Sequence, residues 1–299
     1  MLILIAGITG SLGRNPSTLP SALSTQLESF VTSTTYYDLA ALDLAVSGVD
    51  GIINAYAPHP LLDLDGSLLL LRAAERAGVR IFVASSWSRD WTNIAFGDFE
   101  HYDNHMAFQR QVAKTSEIKP VYIFTGLFAD LLYSPYGPGG WDLKHISSGG
   151  EQGNGNPRMR FWGEGDSVGR WPWSAQSDVA EFTIDILMFG EGVQEGRGGV
   201  FKVSSGTTTI RELAETWEKI NGGKVDVVGQ GNVGDLEAEL ERLRREKGVK
   251  LNHEYMFEEA ALIGGKGLWE NKDVVVLKQF RKPITLEEYL IQEKTKLSV

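Results

Sequence analysis

Met1 to Asn15 reads MLILIAGITGSLGRN, and this stretch decides the fold. Leu2, Ile3, Leu4 and Ile5 form an unbroken apolar run, closed by Ala6 and Gly7. A strand covered by helices on both faces has that composition, because neither face alternates with polar residues. Gly7, Gly10 and Gly13 then recur every third residue. Glycines at a strand-to-helix turn let the backbone approach a diphosphate, which the amides of the next helix N-terminus attract. The spacing is G-x-x-G-x-x-G rather than the commoner G-x-G-x-x-G. Placed directly after an N-terminal β-run, it points to a nucleotide-binding origin.

Outward from that turn the pattern alternates. A short helix is expected from about Thr18 to Leu27, with Pro16 and Pro20 interrupting it. Ser29 to Tyr37 is rich in β-formers and reads as a strand. Asp38 to Ser47 reads as a helix stopped by Gly48, and Gly51 to Ala55 as a buried strand. A helix capped by Asp65 runs to Ala77, ended by Gly78. Val79 to Ala84 and Val121 to Thr125 are further strands, with a helix over His101 to Thr115 between them. This alternation predicts a doubly wound parallel sheet whose first strand lies between Ser29–Tyr37 and Gly51–Ala55.

The texture changes near Ser134. Ser134 to Gly155 is Gly-, Pro- and Ser-rich and reads as an irregular excursion. Met159 to Trp162 and Arg170 to Trp173 read as a hairpin around Gly163 to Asp166. Later helices are expected at Asp178–Phe189, Thr209–Asn221 (with a Thr209/Glu212 capping box), Asp235–Lys247, Tyr255–Ile263 and Thr285–Ile291. Strands are expected at Val200–Val203 and Lys224–Val228. The division implied is a first α/β domain, residues 1–133, and a smaller α/β region, 134–299, with some segments returning to the first.

The composition excludes several classes. There are 299 residues, no cysteine and a net charge of −10. Disulfides, thiolate metal sites and thiol nucleophiles are ruled out. The negative balance argues against a nucleic-acid partner. The opening apolar run is too short for a secretory segment, and no stretch has the length of a membrane span. A cytoplasmic protein with a small-molecule substrate is the expectation.

Several blocks together resemble the NmrA-like family of atypical short-chain dehydrogenases/reductases, relatives of isoflavone reductases. They are ILIAGITGSLG (3–13), Asp38 to Pro58 ending GVDGIINAYAP, RIFVASSWSRD (80–90), FWGEGDSVGRWPWSAQSDVA (161–180) and PITLEEYL (283–290). The resemblance implies a Rossmann-like fold, usually NADP, and a smaller C-terminal substrate domain. It implies cofactor contacts at Gly7, Thr9, Gly10, Gly13, Arg14, Asp38, Ala57 and Ser85. Family members include reductases and redox-sensing regulators, many of them in biosynthetic (secondary-metabolism) pathways.

The chain departs from the family in two places. The interval from Gly13 to Asp38 is short by roughly one helix and one strand, about twenty residues. Arg14 then either inherits a 2′-phosphate contact or is a surface arginine. A rival alignment makes Ser29–Tyr37 the second strand and Asp38 a ribose acid, implying NAD. The other departure is the missing lysine of Tyr-x-x-x-Lys, whose charge lowers the tyrosine pKa. Tyr102 is followed four residues later by Met106, and no lysine occurs between Arg80 and Ala113.

Tyr102 and His105 are therefore the candidate proton donors, with Ser86 and Ser85 at a strand end where a carbonyl or nicotinamide would lie. Tyr102 and His105, three residues apart, should share one helix face. His101 and His105 lack a convincing third ligand, so no metal site is expected. Trp87, Trp91, Trp141, Trp162, Trp171 and Trp173 either line a pocket or fill the core. Three functions remain open. They are an NADP-dependent reductase, an NADP-sensing regulator without turnover, and a non-redox biosynthetic enzyme using the former cofactor cleft.

Overall fold

The computed structural model describes residues 1–7, 25–56, 59–143, 155–165, 169–270 and 282–297. They form two compact units. The first comprises Met1–Trp87, Tyr102–Ile123 and Ala180–Phe201, and the second Ser88–His101, Phe124–Val179 and Lys202–Val299.

The first unit is α/β with a central sheet. Its strands are β1 (Ile3–Ala6), β2 (Gly51–Asn54), β3 (Ile81–Val83), β4 (Val121–Phe124) and β8 (Gly199–Lys202), in the order β1-β2-β3-β4-β8. The pairs β1–β2, β2–β3 and β3–β4 are parallel. The apolar runs behave as read: β2, β3 and β4 are buried at every position. Helix α1 (Leu39–Val46) is capped by Asp38 and buries Leu42 and Val46. Helix α2 (Ser67–Ala77) buries Leu70, Leu71, Ala73 and Ala74, and Gly78, at φ 71°, turns the chain out of it. That left-handed cap is why a glycine stands there.

Two expectations about the first half are corrected. Ser29 to Tyr37 is not a strand but irregular chain that ends in bends and turns over Thr34 to Tyr37. Its β-formers have no sheet to pack on, with Phe30 56% and Tyr37 60% exposed. The Thr34 amide and hydroxyl instead bond the Asp38 carboxylate, folding the segment back onto the helix cap. Among the described residues β1 is therefore not central. Among the described residues it pairs with β2 alone, and Ile5 is 44% exposed at this edge. β-propensity gives way to the absence of a partner face. The helix read as starting at Asp65 is also corrected. The chain enters α2 through a π-helical turn, Leu62–Gly66.

The second unit holds a three-stranded sheet of β5 (Leu127–Phe128), β7 (Trp171–Ser174) and β9 (Gly206–Thr208), in the order β5-β7-β9. A separate parallel pair joins β6 (Arg158–Phe161) to β10 (Asp226–Gly229). The expected hairpin between β6 and β7 is thus corrected, since the two belong to different sheets. Each end of their connection is held elsewhere. The Gly163 amide donates to Gly231 O at 2.9 Å, and Gly169, at φ 81°, lies against the Gly264 carbonyl. Helix α5 (Ile210–Asn221) carries the Thr209/Glu212 capping box as expected. Trp141, Met159, Trp173 and Leu213 are among the residues of one core cluster. Another contains Leu236, Leu240, Tyr255 and Phe257. Asp178, in the first turn of α4 (Gln176–Phe189), accepts from Ser205 Oγ and from the Ile284 amide at 3.1 Å. One carboxylate thereby ties the SDVA segment to the PITLEEYL segment. Among the described residues no helix is long and apolar enough to cross a membrane.

Candidate functional site

In the first unit the C-terminal ends of β1, β2 and β3 lie side by side, because the strands are parallel and in register. Ligands of open α/β sheets bind at such ends. Gly7 closes β1 with φ 85°, and a Cβ there would lie 2.6 Å from Ala55 O and 2.9 Å from Tyr56 N. No side chain fits between these segments, so the turn is built for close backbone approach. That geometry fits the demand a dinucleotide diphosphate makes of the first turn. Thr9, Gly10, Gly13, Arg14 and Ala57 lie outside the described residues.

At the end of β2, Asn54 is 1% exposed. Its Nδ2 donates to Ser67 Oγ at 2.9 Å, and its Oδ1 accepts from the Tyr56 amide at 3.3 Å. Ser67 Oγ passes the chain on to Leu62 O at 2.9 Å. A buried polar network of this kind fixes the loop that leaves β2. At the end of β3, Ser85 Oγ donates to Tyr56 O at 3.1 Å, so the ends of β2 and β3 are linked.

Ser86 is engaged differently. It is 2% exposed, its Oγ accepts from the Ile123 amide at 2.7 Å and donates to Ala84 O at 3.2 Å. The hydroxyl joins β3 to β4 and holds Ser85 at the strand end. Asp38 is likewise occupied: it accepts from the Ala41 amide at 3.2 Å as the N-cap of α1 and from Thr34. Those amides hold its carboxyl below the ordinary aspartate value.

Tyr102 precedes α3 (Asp103–Thr115) and is 5% exposed, and His105 stands in the first turn of that helix. Their rings lie 6.0 Å apart between centroids, tilted by 43°. The expectation of one helix carrying both is corrected: Tyr102 ends a 3-10 turn, Glu100–Tyr102, and only His105 belongs to α3. Of the candidate pocket tryptophans, Trp87, Trp91, Trp141, Trp171 and Trp173 are buried, and only Trp162 is half-exposed. Trp87 Nε1 donates to Thr183 Oγ1 at 2.9 Å, as a core indole must. Among the described residues no three His, Asp or Glu side chains gather to hold a metal ion.

Two residues of this region escaped the sequence reading. Asn54 is a polar residue ending an apolar strand, which was a usable signal. Asp63 is the other. It stands in the π-helical turn, which packs against α3. Burial pushes its carboxyl up to about 6, opposed by the His59 amide, which donates to Asp63 Oδ1 at 3.2 Å. Single π turns recur at functional sites, and a carboxyl near neutrality serves as a general acid or base. No sequence pattern marks the extra residue in that turn.

The NmrA-like family model matches residues 3–290. Among solved structures, isoflavone reductase superposes with a TM-score of 0.70 at 18% identity, covering 97% of this chain and 98% of that one. The NADPH-dependent quinone oxidoreductase of Escherichia coli, complexed with NADPH, gives 0.65 at 18% identity, covering 98% and 99%. The leucoanthocyanidin reductase–NADPH complex of Vitis vinifera gives 0.66 at 18% identity, again covering 98% and 99%. At such identity these likenesses establish the Rossmann-like fold alone. No curated protein matches the chain by sequence.

Proposed function

The chain belongs to the NmrA-like family, and from that premise we propose that it is an NADP-dependent oxidoreductase. Its substrate in this reading is a small organic carbonyl or conjugated double bond from a biosynthetic pathway. The observation that carries the reading is Gly7, whose backbone passes so close to Ala55 that only glycine fits. Solved structures of the same fold contain NADPH.

When bound, NADPH supplies the hydride. Gly7, with Thr9, Gly10 and Gly13, would receive the diphosphate, and Arg14 would meet the 2′-phosphate. Asp38 and Ala57 would border the adenosine half. Ser85 would contact the nicotinamide, and Ser86 keeps Ser85 in place through its bond to Ile123 of β4. Tyr102 or His105 would deliver the proton, since each carries an exchangeable O–H or N–H and the two rings adjoin. Asp63 is added to this set as a nearby acid.

A second reading, an NADP-sensing protein without turnover, is favoured by α3 itself. Its first lysine is Lys114, in the last turn, about three turns past Tyr102. NADPH oxidation followed with a panel of quinones, enones and ketones separates the two. Turnover supports the reductase. Calorimetric NADPH binding with no turnover supports the sensor, and neither signal overturns both.

A further inference from the structure

Arg160 belongs to none of the machinery above. It shares a face of β6 with Arg158, two positions away. Arg158 is engaged: its Nη2 donates to Asp142 Oδ2 at 3.4 Å. The Arg160 backbone amide donates to Gly139 O at 2.8 Å, but among the described residues its guanidinium makes no hydrogen bond or ion pair. Instead its Cζ lies 4.5 Å from the ring centroid of Phe257 and 5.9 Å from that of Trp162. Those two rings are 5.7 Å apart. Gly140, at φ 55°, lets the neighbouring loop close in: a Cβ there would come within 2.7 Å of Phe257 and 3.0 Å of Arg160 Nη2.

This arrangement is unusual for a chain with 39 acidic residues against 29 basic ones. Burial lowers the Arg160 pKa from its ordinary value, so the cation is partly stripped of water without a bonded anion. Of the two carboxyls that act on it, Glu258 feels the Arg160 charge and is itself pushed up by burial, while Asp142 is paired with Arg158. A guanidinium resting on aromatic faces keeps its plane fixed and its in-plane N–H edge unspent. That edge matches a planar carboxylate in bidentate geometry.

We propose that Arg160, backed by Phe257 and Trp162, is a binding position for the carboxylate of a small organic acid. A monoanion suits it better than phosphate, because Glu258 and Asp142 stand nearby and repel further negative charge. The position belongs to the second unit and its occupation requires no turnover, so it stands apart from the redox reading.

The test is an NMR titration of the full chain, labelled with 15N-arginine, using sodium benzoate at constant ionic strength. The Arg160 Nε–H resonance, identified by its loss in Arg160→Lys, should shift saturably with half-saturation on the order of 1–10 mM. Glu258→Gln, which removes the carboxyl that acts more strongly on Arg160 than Asp142 does, should tighten binding severalfold. A shift that never saturates, or that sodium chloride reproduces, overturns the proposal. A larger saturable shift with inorganic phosphate than with benzoate overturns the carboxylate assignment. Where Arg160→Lys folds poorly, a triple-resonance assignment of the wild-type chain identifies the Arg160 Nε–H, and the wild-type titration then decides the matter.

Discussion

Gly7 and Ala55 approach so closely that a Cβ on Gly7 would sit 2.6 Å from the Ala55 carbonyl oxygen, inside any permitted contact. Two penalties coincide there, because φ is 85° and the obstacle is backbone. Gly7→Ala should destabilise the chain by about 3 kcal/mol, the sum of left-handed strain and a displaced strand end. At roughly 2–4 °C per kcal/mol, the thermal midpoint should fall by about 6 °C or more. NADPH binding should vanish with it. A melting curve within a degree of wild type would show that the turn has room.

Asp63 gives the fold a pH dependence of definite sign. Its folded-state pKa is raised to about 6 from an ordinary 3.8, with burial as the main cause. The contribution to stability is therefore full below the unfolded value. It is lost as pH rises through about 4 to 6, where the unfolded chain ionises more readily. Since the group is only partly buried, the loss is discounted to about 1–2 kcal/mol. Asp63→Asn should accordingly gain stability over wild type at pH 8 but not at pH 4, measured by urea unfolding. Equal effects at both pH values would remove desolvation as the cause.

Tyr102 and His105 offer a kinetic test. If Tyr102 donates the proton, Tyr102→Phe should lower kcat by about 10²–10⁴ with KM little changed. The ring and its burial survive that substitution, so folding should not interfere. The same loss in His105→Gln with Tyr102→Phe unaffected would assign the proton to the imidazole instead.

What the sequence made legible was chemistry closed within a few residues. The Thr209/Glu212 box and the Gly78 cap each depend on neighbours three or four positions away. What it hid depended on distant partners. Ser29–Tyr37 has strand composition but no sheet to join, and only the assembled fold reveals that. Ser86 looked like an available hydroxyl because its bonding partner, Ile123, is 37 residues further on. Asp65 resembled a helix cap, yet it stands inside the π turn that precedes α2, across which Ser67 Oγ bonds Leu62 O. The hairpin failed for a similar reason, since Gly163 is held by Gly231.

NADPH should bind this chain more weakly than a relative with a complete first half. In the usual doubly wound order the first strand is flanked on both sides, and the strand beside it presents the ribose contact. Here β1 pairs with β2 alone among the described residues, leaving Leu2 36% and Ile5 44% exposed. Asp38, the acid implied for the adenosine half, already spends its carboxylate on Thr34 and Ala41. Losing two or three charge-assisted hydrogen bonds at roughly 1.5–3 kcal/mol each weakens affinity a hundredfold or more. Uncovered apolar surface on β1 adds a cost in stability, at about 25 cal/mol per Å². Calorimetric titration should therefore show NADPH binding that tightens when a helix–strand segment is inserted between Gly13 and Arg14. The insertion should also raise the thermal midpoint, because it covers Ile5. Micromolar or tighter binding by the chain as it stands, unchanged by the insertion, would show that the open side of β1 is harmless to the cofactor site.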